Sequence, residues 1–384
     1  MTRLAIVTTH PIQYYAPLFR LLCERKNIVI KVFYTWEQDA GAFDKDFGKE
    51  IKWDIPLLDG YDHQFVSNEG NRGRDFRSVR NPRLIQDVEG WGATAVLFFG
   101  WNYYSHLKAM RYFSGRIPVL FRGDSTLLNE RPGLRKIARR LFLRWVYRHV
   151  DIALYVGTHN RNYFRAHGLK EDQLVFAPHA IDNDRFFDKD GKYELAALQW
   201  KSELGIDQKD KVLAFVGKFQ DTKDPLLLLG AFAGTNGPKW HLLFVGNGEL
   251  EPSLKKAAEG KANIHFLPFQ NQSFMPVIYR ICTVFCLPSK GETWGLAVNE
   301  AMACGRPVLL SNRCGCAIDL VAPGKNGFIF ASGNKQDLTD KMQKLMDPAV
   351  SDLSAMGQNS VRSIRDWSYE RLALGIEQVF QKEK

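Results

Sequence analysis

Short apolar runs alternate with helix-forming segments along most of the chain, and this alternation limits the possible folds more than any other feature. In the first half the runs predict strands at 4–8, 28–35, 63–66, 94–99, 118–121, 152–156 and 174–177. Helical patterns fall between most of these runs, at 82–90, 104–113, 134–149 and 158–166, the last with Thr158 as its N-cap. Strands that alternate with helices form parallel sheets covered on both faces. We therefore expect an α/β protein, and 384 residues suffice for two or three such domains.

The most informative stretch joins a strand to a helix in the second half of the chain. The apolar run 283–287 is typical of a buried strand, and a glycine precedes the helix-forming run 296–304. The loop between them lies at the carboxyl end of a strand, where open α/β sheets bind their ligands. The backbone N–H groups of residues 294–296, at the start of the helix, suit a phosphate group.

Two glutamates of this stretch, Glu292 and Glu300, are separated by seven residues. Their context is Pro288-Ser289, Glu292-Thr-Trp-Gly295, Glu300-Ala-Met-Ala303 and Gly305-Arg-Pro-Val308. This pattern resembles the E-x7-E signature of the GT-B glycosyltransferases, in particular the retaining family 4 that includes bacterial polysaccharide and glycolipid assembly enzymes. By this resemblance, Glu292 holds hydroxyls of the transferred sugar and Glu300 holds the ribose of a nucleotide.

The resemblance implies two Rossmann-like parallel-sheet domains that face each other across a cleft, with the nucleotide-sugar donor in the second. Where the family has two basic residues in a loop after a strand, this chain has Lys218 and Lys223. Two cations there would stabilise the charge that develops on a departing nucleoside diphosphate. The predicted catalytic residues are Lys218, Lys223 and Glu292. The predicted donor-binding residues are Gly217, Phe269, Thr293, Trp294, Gly295, Leu296 and Glu300, with 268–270 similar to the base-binding loop of the family.

Two loops of the first half are candidates for the acceptor side of the cleft. His10 and Gln13 follow the first strand, and Arg122 and Asp124 follow the strand at 118–121, all at carboxyl ends of strands. Paired glycines after the first strand and a histidine in the second loop, common in the family, are missing here. The irregular segment Gln38–Arg80 is either a lid over the cleft that helps to select the acceptor or a surface insertion.

The expected domains are residues 1–190, which bind the acceptor, and 191–365, which bind the nucleotide sugar. Residues 366–384 are expected to form a helix, capped by Ser368, that returns to the first domain as in other GT-B proteins. The segment 175–187 is similar to the connection out of the first domain in the family, although His179-Ala180 replaces an Asn-Gly pair. The polar residues 188–192 mark the linker.

The first half carries most of the net positive charge, with 29 Lys and Arg against 22 Asp and Glu in residues 1–190 of a chain whose net charge is +10. Much of this charge lies in Arg131–Arg148, which has seven basic residues and no acidic one. On a helical projection Leu134, Ile137, Ala138, Leu141, Phe142 and Trp145 form one face, opposite Arg135, Lys136, Arg139, Arg140 and Arg144. The pattern favours a helix packed on the sheet with a solvated basic face, and that face could hold an anionic membrane surface.

The resemblance implies a retaining, metal-independent hexosyltransferase that uses a UDP- or GDP-linked sugar as substrate, needs no further cofactor and modifies a glycan or lipid-linked acceptor. Two alternatives stay open: a sugar-nucleotide 2-epimerase of the same fold, and a non-catalytic GT-B subunit that binds a partner. Three Asp-x-Asp sequences, at 44–46, 182–184 and 188–190, are interpreted as solvated charge and not as a metal site.

Other functional classes receive little support from the sequence. RNP aromatics and zinc-finger spacing are absent, so nucleic acid is not an expected partner. Gly246 and Gly248 lack the third glycine of a dinucleotide fingerprint. No apolar run reaches the roughly 18 residues that span a bilayer, and the start does not resemble a signal peptide. We expect a cytoplasmic protein with reduced cysteines, and peripheral association with the cytoplasmic face of the membrane is consistent with the basic helix.

Overall fold

The structure, a computed structural model, describes residues 1–36, 42–44, 49–51, 53–71, 75–130, 132–235, 237 and 239–381. It consists of two compact units. The first unit is formed by residues 1–40, 55–179 and 369–384, and the second by residues 41–54 and 180–368.

The strands are β1 (Arg3–Thr8), β2 (Val29–Tyr34), β3 (Ala42–Asp44), β4 (Lys49–Ile51), β5 (His63–Phe65), β6 (Ala95–Phe99), β7 (Val119–Arg122), β8 (Ile152–Tyr155), β9 (Leu174–Phe176), β10 (Lys211–Val216), β11 (Trp240–Val245), β12 (Ile264–Leu267), β13 (Val284–Leu287), β14 (Val308–Ser311) and β15 (Gly327–Phe330). The α-helices are α1 (Ala16–Arg25), α2 (Leu84–Gly90), α3 (Tyr104–Phe113), α4 (Leu134–Tyr147), α5 (Thr158–Ala166), α6 (Asn183–Phe186), α7 (Lys192–Glu203), α8 (Pro225–Phe232), α9 (Glu251–Ala258), α10 (Met275–Ile281), α11 (Leu296–Ala303), α12 (Ala317–Leu320), α13 (Lys335–Met346), α14 (Leu353–Ile364) and α15 (Tyr369–Gln378).

The first unit is built on a seven-stranded sheet in the order β5-β2-β1-β6-β7-β8-β9. Every neighbouring pair in it is parallel. Apolar side chains of the central strands, among them Val96, Phe98 and Phe121, form the core with the covering helices and are at most 1% exposed. This explains why the strands read as continuous apolar runs, since both faces of a parallel sheet are covered.

The second unit repeats this plan with six parallel strands in the order β12-β11-β10-β13-β14-β15. The strand order reverses between β10 and β13. In doubly wound sheets the loops that leave such a pair of strands diverge, and the ligand binds in the crevice that this divergence opens. The two loops concerned, 217–224 and 288–295, contain most of the residues that the sequence predicted for donor binding.

The last helix, α15, belongs to the first unit. It packs on α1, where Arg25 pairs with Glu370 at 2.9 Å and with Glu377 at 2.8 Å. Glu377 is 1% exposed, so the second of these ion pairs is largely removed from water. At Gly375 a Cβ atom would lie 2.4 Å from the carbonyl oxygen of Phe176, so a side chain there would push α15 away from β9.

The structure departs from the sequence predictions in several elements. Strands β14 and β15, and the β3–β4 hairpin, were not predicted. Helix α5 starts at the predicted Thr158, but its N-cap is Gly157 and no side chain caps it. Part of the irregular segment Gln38–Arg80 lies outside the described residues, as does Arg131.

The chain enters the second unit at residue 180, before the polar segment that we interpreted as the linker. Phe186 is fully buried in the second unit, where its ring lies 6.1 Å from that of Tyr279. Asp182 accepts a hydrogen bond from the amide of Arg185 at the start of α6, and Asp188 pairs with the buried Arg280 at 3.6 Å. The interpretation as solvated charge is therefore wrong for Asp188, whose side chain is 8% exposed. Asp182 is half-exposed and is the N-cap of α6.

Helix α4 also differs from its prediction. It packs through Leu143, Val146 and Tyr147, all buried, whereas Leu134 and Leu141 of the predicted apolar face are 84% and 62% exposed. The expectation that the apolar face packs on the sheet is therefore wrong. The rotation of the helix is set by the three bulky residues near its C-terminal end.

Within the described part of the chain, no helix combines the length and the apolar character that crossing a bilayer requires. The six cysteines form no disulfide, and five of them are buried.

Candidate active site

The predicted strand–loop–helix stretch is formed by β13, the loop 288–295 and α11. Gly295 precedes the helix with φ at 102°, in the left-handed region that glycine favours. A Cβ atom at this position would also lie 3.2 Å from Cδ2 of Leu287 and 3.3 Å from Cγ of Glu292. The sharp turn brings the first amides of α11, which have no acceptor within the helix, to the carboxyl end of β13. This is the geometry of an anion site at a helix N-terminus.

Glu300 lies in the second turn of α11 and is only 2% exposed. One of its carboxylate oxygens, Oε2, accepts a hydrogen bond of 2.7 Å from the hydroxyl of Tyr279. Tyr279 belongs to α10 and is fully buried. The carboxylate is thus held in one orientation by a neighbouring helix, and this partner was not foreseen from the sequence.

Glu292 and Lys223, both predicted to be catalytic, meet across the point where the strand order reverses. The ammonium group of Lys223 donates a hydrogen bond to Oε2 of Glu292 and forms an ion pair with it. Both side chains are about one-fifth exposed, at 24% and 17%. The loops after β10 and β13 are distant in sequence, and they meet because these two strands are neighbours in the sheet.

A second pair of contacts joins the same two loops. Lys290 forms an ion pair of 2.6 Å with Asp221, and its backbone amide donates to the carbonyl oxygen of Thr222 at 2.9 Å. The hydrogen bond with Asp221 raises the pKa of Lys290. Asp224, 3.6 Å from Lys290, has a left-handed backbone with φ at 51°, and burial raises the pKa of its carboxyl group. A strained non-glycine residue of this kind is common beside functional sites, and local sequence patterns do not signal it.

The loop of Glu292 is supported from behind by the segment 313–316. The amide of Glu292 donates to the carbonyl oxygen of Arg313, and the amide of Cys316 donates to that of Trp294, at 3.0 and 3.1 Å. A Cβ atom at Gly315 would lie 1.8 Å from the carbonyl oxygen of Thr293, so only glycine fits there. The sequence predicts only reduced cysteines in this segment, and its contact with the loop of Glu292 was not foreseen.

The remaining predicted residues of this unit differ in exposure. Gly217, predicted for donor binding, and the half-exposed Lys218, predicted as catalytic, lie on the same loop as Lys223. Thr293 is exposed, and Leu296 begins α11. Trp294 is only 3% exposed, donates from its indole nitrogen to Asn299 at 2.9 Å and packs on Trp367 at 4.8 Å. Its side chain therefore belongs to the core, so any contact of this residue with a donor must come from its backbone.

The predicted base-binding loop lies beside two residues from the irregular segment. Phe269 donates from its amide to Asn247 at 2.9 Å, and the ring of Trp53 lies edge-on to it with 6.4 Å between the ring centroids. Asp54 accepts hydrogen bonds from the amide and the hydroxyl of Ser273. Trp53 and Asp54 are thus part of the second unit and were not predicted as donor-site residues.

The predicted residues of the first unit lie at two separate places. The imidazole of His10 is stacked on Trp36, 4.9 Å away, and its Nδ1 lies 2.9 Å from the hydroxyl of Thr9. Gln13 follows on the same half-buried loop after β1. Arg122 is the last residue of β7 and Asp124 follows that strand, and β6 separates β1 from β7 in the sheet.

Arg122 is buried, and its guanidinium group donates to the carbonyl oxygens of Ala177 and Pro178, at 2.6 and 2.9 Å. Burial lowers its pKa. Asp124 is 45% exposed, and its carboxylate lies 3.7 Å from Nε2 of the buried His179. Arg122 therefore anchors the chain where it leaves the first unit, while Asp124 is accessible. Within the described residues, no group of three or more His, Cys, Asp or Glu side chains could hold a metal ion.

The architecture defines the class of protein: two doubly wound parallel-sheet units are the GT-B fold. Solved structures of the same fold include sucrose-phosphate synthase from Thermosynechococcus elongatus, with a TM-score of 0.73, 17% identity and coverage of 100% of this chain and 99% of that one. The Anabaena protein HepE in complex with UDP aligns with a TM-score of 0.74, 16% identity and full coverage of both chains.

Residues 197–362 match the model of the family described as glycosyl transferases group 1. A D-inositol 3-phosphate glycosyltransferase of Rhodococcus opacus is 29% identical over 188 residues, which are 46% of this chain and 42% of that protein. The chain thus spans less than half the length of this curated relative. The resemblance to the GT-B glycosyltransferases is confirmed: the protein has the GT-B fold, and residues 197–362 match the group 1 glycosyl transferases.

Proposed function

We propose that the protein is a retaining glycosyltransferase that moves a hexose from a UDP- or GDP-linked sugar to a glycan or lipid-linked acceptor. The observation that carries this proposal is the arrangement in the second unit, where Lys223 contacts Glu292 and the buried Glu300 lies on the helix that follows. Cations for a diphosphate and carboxylates for hydroxyl groups are what a nucleotide sugar requires. The match of residues 197–362 to a glycosyltransferase family and the UDP complex of HepE support the same choice.

In this proposal the donor replaces the ion pair between Lys223 and Glu292. In the ion pair of Lys223 and Glu292, each charge is neutralised by the other. A bound nucleotide sugar offers a phosphate to Lys223 and Lys218 and sugar hydroxyls to Glu292, so both charges keep a partner when the pair separates. Glu300, already oriented by Tyr279, accepts hydrogen bonds from the ribose hydroxyls.

The transfer is proposed to proceed on one face of the sugar. The bond between the anomeric carbon and the phosphate oxygen breaks, the acceptor oxygen bonds to the anomeric carbon from the same side, and the acceptor proton moves to the departing phosphate oxygen. Lys218, Lys223 and the first amides of α11 stabilise the charge on that oxygen. Glu292 and Glu300 are assigned to sugar and ribose hydroxyls, so neither is left to act as the base or nucleophile of an alternative mechanism.

The acceptor and the cellular setting are also part of the proposal. The anionic leaving group is handled by lysines and backbone amides, so we expect the transfer to need neither a metal ion nor another cofactor. A glycan or lipid-linked acceptor fits a role in cell-surface polysaccharide or glycolipid assembly at the cytoplasmic face of a membrane. The first unit, with the accessible Asp124, is the proposed acceptor side.

The direct test is to incubate the protein with UDP- and GDP-linked hexoses and follow release of the nucleoside diphosphate, with and without EDTA. We expect release that depends on an added acceptor, is unchanged by EDTA and is lost in Glu292→Gln. Glu203→Gln, an exposed glutamate of the same unit, is the matched control. An epimerised sugar formed without an acceptor would identify a 2-epimerase instead. The absence of both turnover and nucleotide binding would indicate a non-catalytic subunit.

The stereochemistry has its own test. Proton NMR of the product from an α-linked donor is expected to show an α linkage, and Asp124→Asn is expected to keep that linkage. A β linkage whose formation Asp124→Asn abolishes would show that Asp124 acts as the base of an inverting reaction.

A further inference from the structure

Helix α4 presents an apolar stripe to solvent. Leu134, Ile137 and Leu141 are spaced three and four residues apart, so they lie on one side of the helix. Their exposures are 84%, 58% and 62%, and the neighbouring Phe142 is 42% exposed. These side chains form a contiguous stripe on the face of α4 opposite Leu143, which is buried. An exposed apolar surface of this kind marks an interaction site more often than an incidental feature.

Basic side chains flank the apolar stripe on both sides. On the helical wheel Arg135 lies on one edge of the stripe and Arg144 on the other, and both are exposed. Within the described chain, neither they nor Arg139 nor Arg148 lies within ion-pair distance of a carboxylate. Their charge is therefore available to an external anion.

The other two basic residues of α4 have an internal partner. Lys136 and Arg140 pair with Glu130, at 3.0 and 3.3 Å. Although partial burial opposes it, the hydrogen bond and charge of Lys136 hold the pKa of Glu130 below its ordinary value. This pairing ties α4 to the segment before it and leaves the positive charge concentrated around the apolar stripe.

This combination of apolar and basic groups indicates the chemistry of the partner. A protein partner would have to cover the apolar stripe and also place acidic groups opposite several arginines at fixed positions. An anionic bilayer satisfies both kinds of group at one surface. Its acyl chains accommodate the apolar side chains, and its phosphate headgroups bind the arginines. Two half-buried tryptophans lie beside the stripe. The ring of Trp101 lies 5.5 Å from that of Phe142, and the ring of Trp145 contacts Arg111. Tryptophan is enriched at membrane interfaces.

We infer that the exposed face of α4 docks the first unit on an anionic lipid bilayer, with Leu134, Ile137 and Leu141 inserted among the acyl chains and Arg135 and Arg144 on the phosphate headgroups. The docking surface is thus the apolar face, rimmed by arginines, and not a basic face alone. This inference rests on the proposed function only in the reason for docking, which would bring the enzyme to a lipid-linked acceptor.

Vesicle co-sedimentation tests this inference without any transfer reaction, so docking and the proposed activity can fail separately. The full chain is mixed with phosphatidylcholine vesicles that contain or lack phosphatidylglycerol, at low and at high salt. We expect binding only to the anionic vesicles, and weaker binding in high salt because the headgroup attraction is screened.

Two double variants separate the contributions of the apolar and basic groups. Ile137→Asn with Leu141→Asn is expected to weaken binding at least about tenfold, because two apolar side chains no longer insert. Arg135→Gln with Arg144→Gln is expected to weaken it roughly 25-fold, about fivefold for each charge removed. All four positions are exposed, so the fold should be kept, and thermal melts check this.

Matched controls lie elsewhere on the surface. Leu195→Asn removes a leucine that is 69% exposed on α7, and Arg83→Gln removes an arginine that is 73% exposed before α2. Neither should change vesicle binding. Absence of binding to anionic vesicles, or equal losses in the α4 variants and the controls, would overturn the inference. So would sedimentation of the protein alone as an oligomer that Leu141→Asn dissociates, because the apolar stripe would then be an interface between copies of this chain.

Discussion

Replacing Glu300 by glutamine tests whether this buried carboxylate holds a nucleotide ribose. The substitution keeps the size of the side chain and an oxygen that can accept from Tyr279, whose hydroxyl now lies 2.7 Å from the carboxylate. It removes the negative charge from a group that is 2% exposed, and so converts charge-assisted hydrogen bonds to the ribose into neutral ones.

The expected magnitude follows from the burial of the site. Hydrogen bonds to charged groups contribute about 1.5–3 kcal/mol, and neutral ones about 0.5–1.5 kcal/mol. The difference of about 1–1.5 kcal/mol corresponds to an increase in Kd of about 5- to 13-fold. Glu300→Ala should cost more affinity and also stability, because the buried Tyr279 hydroxyl would lose this acceptor, at about 1–3 kcal/mol.

Isothermal titration calorimetry with UDP and GDP measures the affinity, and chemical denaturation of the same samples measures the stability. Glu203→Gln, on the exposed side of α7, is the control and should bind as the wild type does. Unchanged Kd values for both nucleotides in Glu300→Gln would remove Glu300 from the donor site. A folded Glu300→Ala that binds normally would do the same.

Three further predictions concern other residues. Lys218→Ala should lower kcat by about 10²- to 10³-fold and change KM less, since the negative charge on the departing phosphate oxygen grows in the transition state. Steady-state kinetics measure both, with the exposed Lys256→Ala as control, and a rise in KM with unchanged kcat would contradict this role. Trp53→Ala should weaken binding of UMP and UDP by the same factor, about 2- to 13-fold, because its ring lies beside Phe269 of the predicted base-binding loop; a loss confined to UDP would contradict a contact with the base. Burial lowers the pKa of His106 to about 4 from an ordinary value of 6.5, so below pH 6.5 the unfolded chain binds a proton that the folded chain does not. This should lower the free energy of unfolding by about 3 kcal/mol as the pH falls from above 6.5 to about 4. The free energy of unfolding of His106→Asn, measured by denaturation at each pH in this range, should fall less steeply with decreasing pH than that of the wild type. An equal fall in both proteins would show that His106 does not cause this pH dependence.

Much of the fold could be predicted because its elements are encoded locally. Apolar runs such as 94–99 and 152–156 identified the strands of the first sheet with ends shifted by about one residue, since both faces of a parallel strand are buried. Strands β14 and β15 were missed because their runs at 308–311 and 327–330 are only four residues long, too short for periodicity to distinguish a strand from a buried helix segment. Gly295 and the helix after it were predicted correctly, since glycine and helix composition are local signals.

The candidate site was only partly predictable. The spacing of Glu292 and Glu300 within one stretch could be recognised in the sequence, and Lys218 and Lys223 could be matched by resemblance. That Lys223 contacts Glu292 depends on β10 and β13 being neighbours, a pairing of strands about 70 residues apart that no local pattern specifies.

What the sequence by itself determined is most of the elements of the first sheet, the alternation of strands with helices and the face of a helix on which apolar residues collect. Only the tertiary structure decided what each face and each charge meets. The apolar face of α4 is periodic in the sequence, but its exposure follows from Leu143, Val146 and Tyr147 packing on the sheet instead. Arg122 looked like a ligand-binding residue at a strand end, yet it holds the carbonyl groups of Ala177 and Pro178. The physical reason is the same in both cases: local patterns constrain the backbone, whereas the partner of a side chain depends on segments that folding brings together from distant parts of the chain.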